Sequence, residues 1–529
     1  MPPASARSAD IGDEDLRLDA ALNGLGRRAG AGVFILVIGA MDGVSYDRMR
    51  PHVDRFGWSG LFVEPVPELF DRLVQSFAGA AHERSLCFER AAIAGTGDDV
   101  GTEIEMIRIP PRAIESGGLD QCFLGMSTLL PPRNGFTSER DRVHLERHGE
   151  RIRVPSTTLP ALLAKHRVER VDVLQIDVEG YDWAVLRQFD FTRYRPSVVC
   201  AERCNLPPDE QVAMEAHLEA QGYDVFHTGQ DLTGIAHDAP HIDATFVTAA
   251  YERHPHDAVG GRGFPIERCL QSLRSLARMG APLVVYTQHR HVDRLTEFFA
   301  HEHAAARVVG RSLSTVPRFW AIEELRLRHR VHTLPYRDRC HVLCLAKFAW
   351  LAEQARRDLF RTTRCYWIDA GLASSELFPA SRLPRPEGTC DLFSEAVPAG
   401  LGRSPGFAVF ELAPIAGRNM HSVDVGDMER IAGAGSAPIA THIVGGLFGG
   451  RRDEVLALYG EYDAVLAEML GADLLGTEEN ILTILYHRNR SRFTPHTFSM
   501  WYHEDTDFIQ PAPGDVPFYR AFEALTAAQ

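Results

Sequence analysis

Two stretches of this sequence place acids where acids could do chemistry. In V-D-V-L-Q-I-D-V-E-G-Y-D, Asp177 and Glu179 stand two apart just after an apolar run. At the carboxyl end of a strand that spacing sends both side chains the same way. An alcohol must lose a proton before its oxygen accepts a group, and a carboxylate within hydrogen-bond reach can take it. His52 and His227 are alternative bases, and a hard divalent ion held by Asp177 and Glu179 is a third option. Earlier, the run Val33–Ile38 ends in G-A-M-D-G, with Gly39 and Gly43 four apart and Asp42 between them. Glycines after the first strand of a sheet let backbone approach a ligand. The G-x-G-x-x-G pattern is absent, and Asp42 would repel a pyrophosphate. An acid there suits a cofactor with an amino group and a sulfonium. Twenty-one residues past Gly43, Glu64 ends the run GLFVEP, placed to accept both hydroxyls of a ribose. The competing reading is a plain strand–turn–helix with solvated acids.

The second stretch is R-C-Y-W-I-D-A-G, in which Asp369 follows an apolar run. A lone acid there is costly to bury without a partner. The segment HVLCLAKFAWLAEQA ahead of it carries Lys347. Behind it come H-I-V-G-G-L-F-G-G with Gly445 and Gly446, T-E-E-N with Glu478 and Glu479, and M-W-Y-H-E-D with His503. Breaking a sugar–diphosphate bond leaves negative charge that a divalent cation, or Lys and Arg donors, must stabilise. On that reading Asp369 and His503 are candidate ligands for Mg²⁺ or Mn²⁺. Lys347 and Arg268 are candidate phosphate donors, and Gly445 and Gly446 let backbone approach a sugar. Glu479, with Glu478, orients acceptor hydroxyls or acts as base. The plainer reading makes Thr477 a helix N-cap, the two glutamates partners of the helix dipole and the glycines a tight turn.

The elements that must position these residues are legible. The runs VFILVIGA, GLFVEP, LCFERAAIA, VDVLQID and SVVCAER are mostly continuously apolar, as in parallel strands covered on both faces. Helical stretches such as ELFDRLVQSFA and LPALLAKHRV lie between them. The expected fold class is α/β, doubly wound. After the turn-rich GIAHDAPHIDA the pattern restarts with ATFVTAAY, APLVVYTQ and RCYWIDAG. This puts a boundary near residue 240, with domains at 31–240 and 241–529, each large enough for its own core. Residues 1–30 read as a disordered or loosely packed arm.

Composition bounds the function. With 529 residues, 45% hydrophobic and 24% charged, the chain is an ordinary globular polymer. Its net charge of -15, from 56 Lys plus Arg and 71 Asp plus Glu, argues against a dedicated nucleic-acid binder. No apolar run reaches the ~18 residues of a membrane span, and the N-terminus has no signal-like apolar region. Nine cysteines, an odd number, fit reduced thiols and a cytoplasmic location. The pairs Cys200/Cys204 and Cys340/Cys344 read as inert thiols rather than metal ligands.

The order VIGAMDGVSYD, LFVEPVPELF, AAIAGTGDDVG, MSTLL, LQIDVEGYDWAVL resembles the FkbM family of S-adenosylmethionine-dependent O-methyltransferases, over about Val33–Gly234. The resemblance implies a class I methyltransferase fold, S-adenosylmethionine as methyl donor, and a sugar or other alcohol oxygen as acceptor. By position, Gly39, Asp42 and Gly43 resemble the cofactor loop, Glu64 the ribose acid, and Asp177 and Glu179 the acids at the reacting centre. Met41 departs from the asparagine-like residue commoner in the family. From about Ala244 to Asp505 the chain resembles GT-A type glycosyltransferases, and among them the HtrL/YibB family linked to surface-glycan synthesis. By position Asp369 resembles one acid of the D-x-D motif, whose second acid is replaced here. Together the two resemblances imply a bifunctional glycan-modifying enzyme using S-adenosylmethionine and a nucleotide sugar. The alternative is a methyltransferase with an inactive, glycan-binding C-terminal domain.

Overall fold

The computed structural model describes residues 12–80, 82–93, 103–115, 119–129, 139–239, 242–252, 266–329, 341–370, 406–412, 419–421, 423–433, 436, 438–498, 500–503 and 508–511. The chain divides into two compact units, Ala21–His241 and Ile242–Gln529, the latter joined by Met1–Ala20. Asp13–Ala29, expected as part of an arm, is a helix. Its leucines 16, 18, 22 and 25 are buried. Three acids in its first turn and Arg27 and Arg28 in its last complement the helix dipole, so the charged stretch is a helix end.

The first unit is built on β1 (Phe34–Ile38), β2 (Ser59–Val63), β3 (Leu86–Glu89), β4 (Ala92–Ile93), β5 (Glu103–Arg108), β6 (Thr128–Leu129), β7 (Glu150–Thr157), β8 (Val173–Ile176), β9 (Val198–Glu202), β10 (Tyr223–Thr228) and β11 (Asp231–Ala236). Seven of these form one sheet in the order β10-β11-β9-β8-β1-β2-β3. All neighbours are parallel except β11, which runs antiparallel to β9 and β10. The chain winds outward from β1 to β3, then returns to β8 on the other side of β1. The carboxyl ends of β1 and β8 therefore flank the switch point, where ligands bind in such sheets.

LCFERAAIA, expected as one strand, is divided: β3 closes the large sheet while β4 opens a four-stranded sheet, β4-β7-β5-β6. Exposed Arg90 stands between the two pieces. Ala92, Met106 and Val154 of this small sheet pack on Val66 and Leu69, the latter in the helix Pro67–Phe77.

The second unit repeats the architecture with β12 (Ala244–Ala250), β13 (Leu283–Thr287), β14 (Ala306–Gly310), β15 (Arg364–Ile368), β16 (Phe407–Leu412), β17 (Asn419–Met420), β18 (Val423–Asp424), β19 (His442–Arg451), β20 (Phe493–Phe498), β21 (Met500–His503) and β22 (Phe508–Pro511). Its seven-stranded sheet runs β14-β13-β12-β15-β19-β16-β20, and only β19 is antiparallel to its neighbours. The helix His341–Arg357 covers it. Trp350 of that helix stacks on Tyr251 and Tyr286, with ring centroids 5.6 and 4.7 Å apart.

The glycine-rich run 445–450, expected at a ligand or in a tight turn, lies inside β19. A Cβ on Gly449 would sit 2.2 Å from the Cys365 carbonyl oxygen, and one on Gly445 2.2 Å from Glu478 Oε1. At these two positions the missing side chains make room for protein, not for sugar.

Candidate active site

In the first unit the loop after β1 is held by close approach. Gly39 has φ +83°, and a Cβ there would lie 1.8 Å from the Asp177 carbonyl oxygen, so only glycine lets β1 and β8 meet at the switch point. Gly43, at φ +69°, would drive a Cβ to 2.6 Å from Leu73. Between them Met41 adopts φ +48°. That left-handed conformation favours Asn or Gly, so the asparagine-like residue that the resemblance leads one to expect would suit this backbone better than Met. Asp42 uses both oxygens within its own loop. Oδ1 accepts from the Val44 and Ser45 N–H groups at 3.0 and 2.7 Å, and Oδ2 from the Ser45 hydroxyl at 2.7 Å. Its observed contacts are those of a loop brace.

Glu64 follows the end of β2 and is buried. Its carboxylate accepts from the backbone N–H of Met41 and of Val66, each at 2.9 Å. Burial pushes the carboxyl up to about 8, the Asp42 charge adding to it and the two N–H bonds opposing it. Glu64, Gly39, Asp177, Glu179 and Tyr181 line one cleft, together with Ile93 and Met106 of the small sheet.

Asp177 and Glu179 differ more than their two-residue spacing implies. The strand stops at Ile176, and Glu179 turns back at φ +51°. Glu179 Oε2 accepts from Asn205 Nδ2 at 2.7 Å, and its carbonyl from the Thr128 hydroxyl at 2.9 Å. Among the described residues the Asp177 carboxylate makes no hydrogen bond; the residue is exposed while protein atoms crowd round its carboxyl. That crowding raises its pKa well above the carboxylate range, and the charges of Glu202, Asp231 and Glu64 push it further. Carboxylate oxygens of Asp177, Asp182 and Glu202 lie within 4.8 Å of one another. Asp182 accepts from Val178 and Gly180 N–H at 3.1 Å each, and Glu202 from Asn205 at 3.0 Å and the Cys204 thiol at 3.3 Å. Glu202 and Asn205 were not singled out from the sequence. The one signal was an acid closing the apolar run V-V-C-A-E, the same signature that marked Glu64.

The alternative bases lie elsewhere. His52 is buried against Phe56 and Trp58, at 6.4 and 6.1 Å between ring centroids. His227 is exposed and stands 3.8 Å from Glu215. Burial raises the thiols of Cys200, to about 12, and of Cys204, so neither is a ready thiolate.

In the second unit Lys347, Asp369, Gly445, Gly446, Glu478 and Glu479 do converge, but with altered roles. Lys347 is buried and its ammonium lies 2.9 Å from Asp369, 2.6 Å from Glu478 and 3.2 Å from the Gly445 carbonyl. Burial alone would lower its pKa; the charges of Asp369 and Glu478 outweigh that and raise it well above normal. It is an internal counter-ion, not a free phosphate donor.

Asp369 also accepts from Trp367 Nε1 at 2.7 Å, and its N–H bonds the Gly446 carbonyl at 2.8 Å. A single carboxylate already in contact with an ammonium is a poor donor set for Mg²⁺ or Mn²⁺. Thr477 caps the helix Glu478–Arg488 in a capping box with Asn480, yet Glu478 is buried rather than solvated. Glu479 bonds Gly445 N–H at 2.9 Å and His442 Nε2 at 2.8 Å, and also meets His421 Nε2. Burial would raise its pKa, but His442, the Gly445 N–H and Lys347 together hold it down at about 2. His503 lies in β21, and its side chain, like that of Arg268, lies outside the described residues. Cys340 lies outside them too.

Residues 38–225 match the model of the methyltransferase FkbM domain. The match supports a methyltransferase, with S-adenosylmethionine as the donor such a domain implies. Its span lies inside the first unit. No curated protein matches the chain. Similar solved structures include 4-diphosphocytidyl-2C-methyl-D-erythritol synthase from Anaerococcus prevotii, 12% identical over 54% of this chain and 96% of that one, TM-score 0.25. Another is mouse xyloside xylosyltransferase 1, 10% identical over 48% and 84%, TM-score 0.25. At those scores neither likeness establishes a shared fold. No helix among the described residues is long and apolar enough to cross a membrane.

Proposed function

We propose that the first unit transfers a methyl group from S-adenosylmethionine to an alcohol oxygen, on a sugar or a glycosylated metabolite. The observation that carries this reading is one cleft at the switch point, faced by Glu64 from the end of β2 and by Asp177 from the end of β8. The donor set fits the cofactor. Glu64 offers a carboxylate for the ribose hydroxyls, and the surrounding acids favour an ammonium and a sulfonium. When bound, S-adenosylmethionine supplies a methyl carbon already activated by its positive sulfur. The protein then has to align the acceptor and remove its proton. Asp177 takes that proton, because its carboxylate is open to the cleft and accepts no hydrogen bond among the described residues. Asn205 fixes Glu179 at the rim, where it orients the acceptor.

The second unit we read as a nucleotide-sugar-dependent glycosyltransferase acting on the same class of glycan. Support comes from the sequence resemblance and from Asp369 at the end of a parallel strand. One observation favours a second reading, a glycan-binding module without turnover: Lys347 holds Asp369 where a diphosphate-bound cation would have to stand.

Calorimetric titration of the full chain with S-adenosylhomocysteine, then with UDP or GDP, tests both. Two independent saturable sites are expected. Loss of the first in Glu64→Ala locates the methyl-donor site. Absence of S-adenosylhomocysteine binding in the intact chain overturns the methyltransferase reading, and absence of nucleotide binding leaves the module reading standing.

A further inference from the structure

Of the two histidines that meet Glu479, His421 belongs to no motif of either resemblance, and His442 opens the run H-I-V-G-G-L-F-G-G, where only the glycines were read as functional. His421 follows β17, His442 opens β19 and Glu479 stands in the first turn of the helix Glu478–Arg488. In sequence they lie 58 and 37 residues from Glu479, yet both imidazoles present Nε2 to the same carboxylate oxygen, Oε2. The other oxygen, Oε1, is fixed by the Gly445 N–H at 2.9 Å. That bond orients the carboxylate so that one oxygen faces the histidines. The two rings meet edge to face, with centroids 5.2 Å apart and planes at 74°, so their nitrogens converge from different directions. All three ligand atoms lie within 4.8 Å of one another. The side chains are 12%, 17% and 18% exposed, so an ion could reach them and keep positions open.

The local charge favours a cation. Glu478 and Asp369 flank the ammonium of Lys347, and among the described residues Glu478 Oε2 is buried without a hydrogen-bond partner. Lys347 does not contact Glu479, so it leaves the histidine-facing oxygen to another charge.

We propose that His421, His442 and Glu479 form a site for one divalent transition-metal ion of the Zn²⁺ or Co²⁺ kind. Two imidazoles and one carboxylate are the donor set such ions take with a fourth position open for water or an anionic oxygen. Ligand nitrogens and oxygens around an ion with bonds of about 2.0–2.2 Å stand roughly 3 Å or a little more apart, close to the His442–Glu479 separation of 2.8 Å. The site does not rest on the sugar-transfer reading; it stands whether or not the unit turns over a nucleotide sugar.

The test is CoCl₂ titration of the chelator-treated full chain, followed by the visible absorption of tetrahedral Co²⁺. One equivalent is expected to saturate. Loss of an outer-shell partner typically weakens metal binding ~10–100-fold, so removing a ligand in His442→Ala or Glu479→Gln is expected to weaken it by at least about 100-fold. S-adenosylhomocysteine binding to the first unit is expected to stay intact in both variants, and the thermal transition of the second unit reports whether they fold. No saturable uptake by the wild-type chain, or uptake unchanged in a folded His442→Ala or Glu479→Gln, overturns the proposal.

Discussion

Both units lay down a seven-stranded sheet with one antiparallel strand, and both gather acids at its carboxyl end. They treat that charge in opposite ways. In the first unit no Lys or Arg forms an ion pair with Asp177, Asp182 or Glu202 among the described residues. Desolvation by the surrounding protein and the charges of neighbouring acids, Asp231 among them, raise all three. In the second, Lys347 stands between Asp369 and Glu478, and His421 and His442 flank Glu479. An acid set left without counter-ions gains most from a cationic ligand and keeps a carboxyl able to take a proton. A set compensated by its own protein is held in place, and any ligand must displace or supplement those partners.

The comparison can be broken first at its strongest point. Asp177→Asn is expected to lower the methyl-transfer kcat about 10²–10⁴-fold while calorimetry shows S-adenosylhomocysteine still bound. A loss of binding with kcat unchanged would make Asp177 a cofactor residue and move the base to Glu179. Lys347→Met strands the buried Glu478 and the half-buried Asp369. It is expected to destabilise the second unit by ~3–5 kcal/mol, seen as a lower thermal transition with that of the first unit unchanged. A neutral outcome would mean that the acids are already protonated and the compensation illusory.

Glu64→Ala removes a charged acceptor and is expected to weaken S-adenosylhomocysteine by roughly 10–100-fold, as ~1.5–3 kcal/mol per charge-assisted bond requires. The same residue sets a pH dependence. Its folded pKa, about 8, lies above the ordinary 4.5, so the folded state holds the extra proton. The stability this group contributes is present below 4.5 and is lost as pH rises towards about 8. Ribose hydroxyls donate to the anion, so cofactor affinity is expected to move the other way, rising with pH and levelling above about 8. A flat affinity profile between pH 6 and 9, with binding intact, removes Glu64 from the ribose contact. Smallest is Met41→Asn. It relieves the left-handed strain at φ +48° and is expected to raise the first unit's stability by ~0.5–1 kcal/mol, read from denaturant midpoints.

Much of the frame was legible because buried parallel strands are continuous apolar runs. VFILVIGA, GLFVEP, VDVLQID and SVVCAER coincide with β1, β2, β8 and β9 to within a residue or two at their ends. LCFERAAIA misled because an apolar run does not record the bend at Arg90 that sends its halves to different sheets. The N-terminal helix was hidden because its charged turns look like a solvated arm until Leu16 and Leu22 are seen buried. The glycines of β19 were legible as glycines but not as strand residues, since nothing local shows that Glu478 and Cys365 fill the missing side-chain space.

By itself the sequence determined which strands carry acids at their ends and that Gly39 and Glu64 follow the first two. Those facts depend on neighbours within a few residues. Only the tertiary structure decided that Glu202 and Asn205 meet Asp177 and Glu179, that Lys347 neutralises Asp369 and Glu478, and that His421 and His442 share one oxygen of Glu479. The physical reason is the winding of the sheets. Strands adjacent in space are not adjacent in the chain, so charges tens of residues apart arrive at one rim, and their mutual fields, absent from the linear chain, set which of them are bases, braces or ligands.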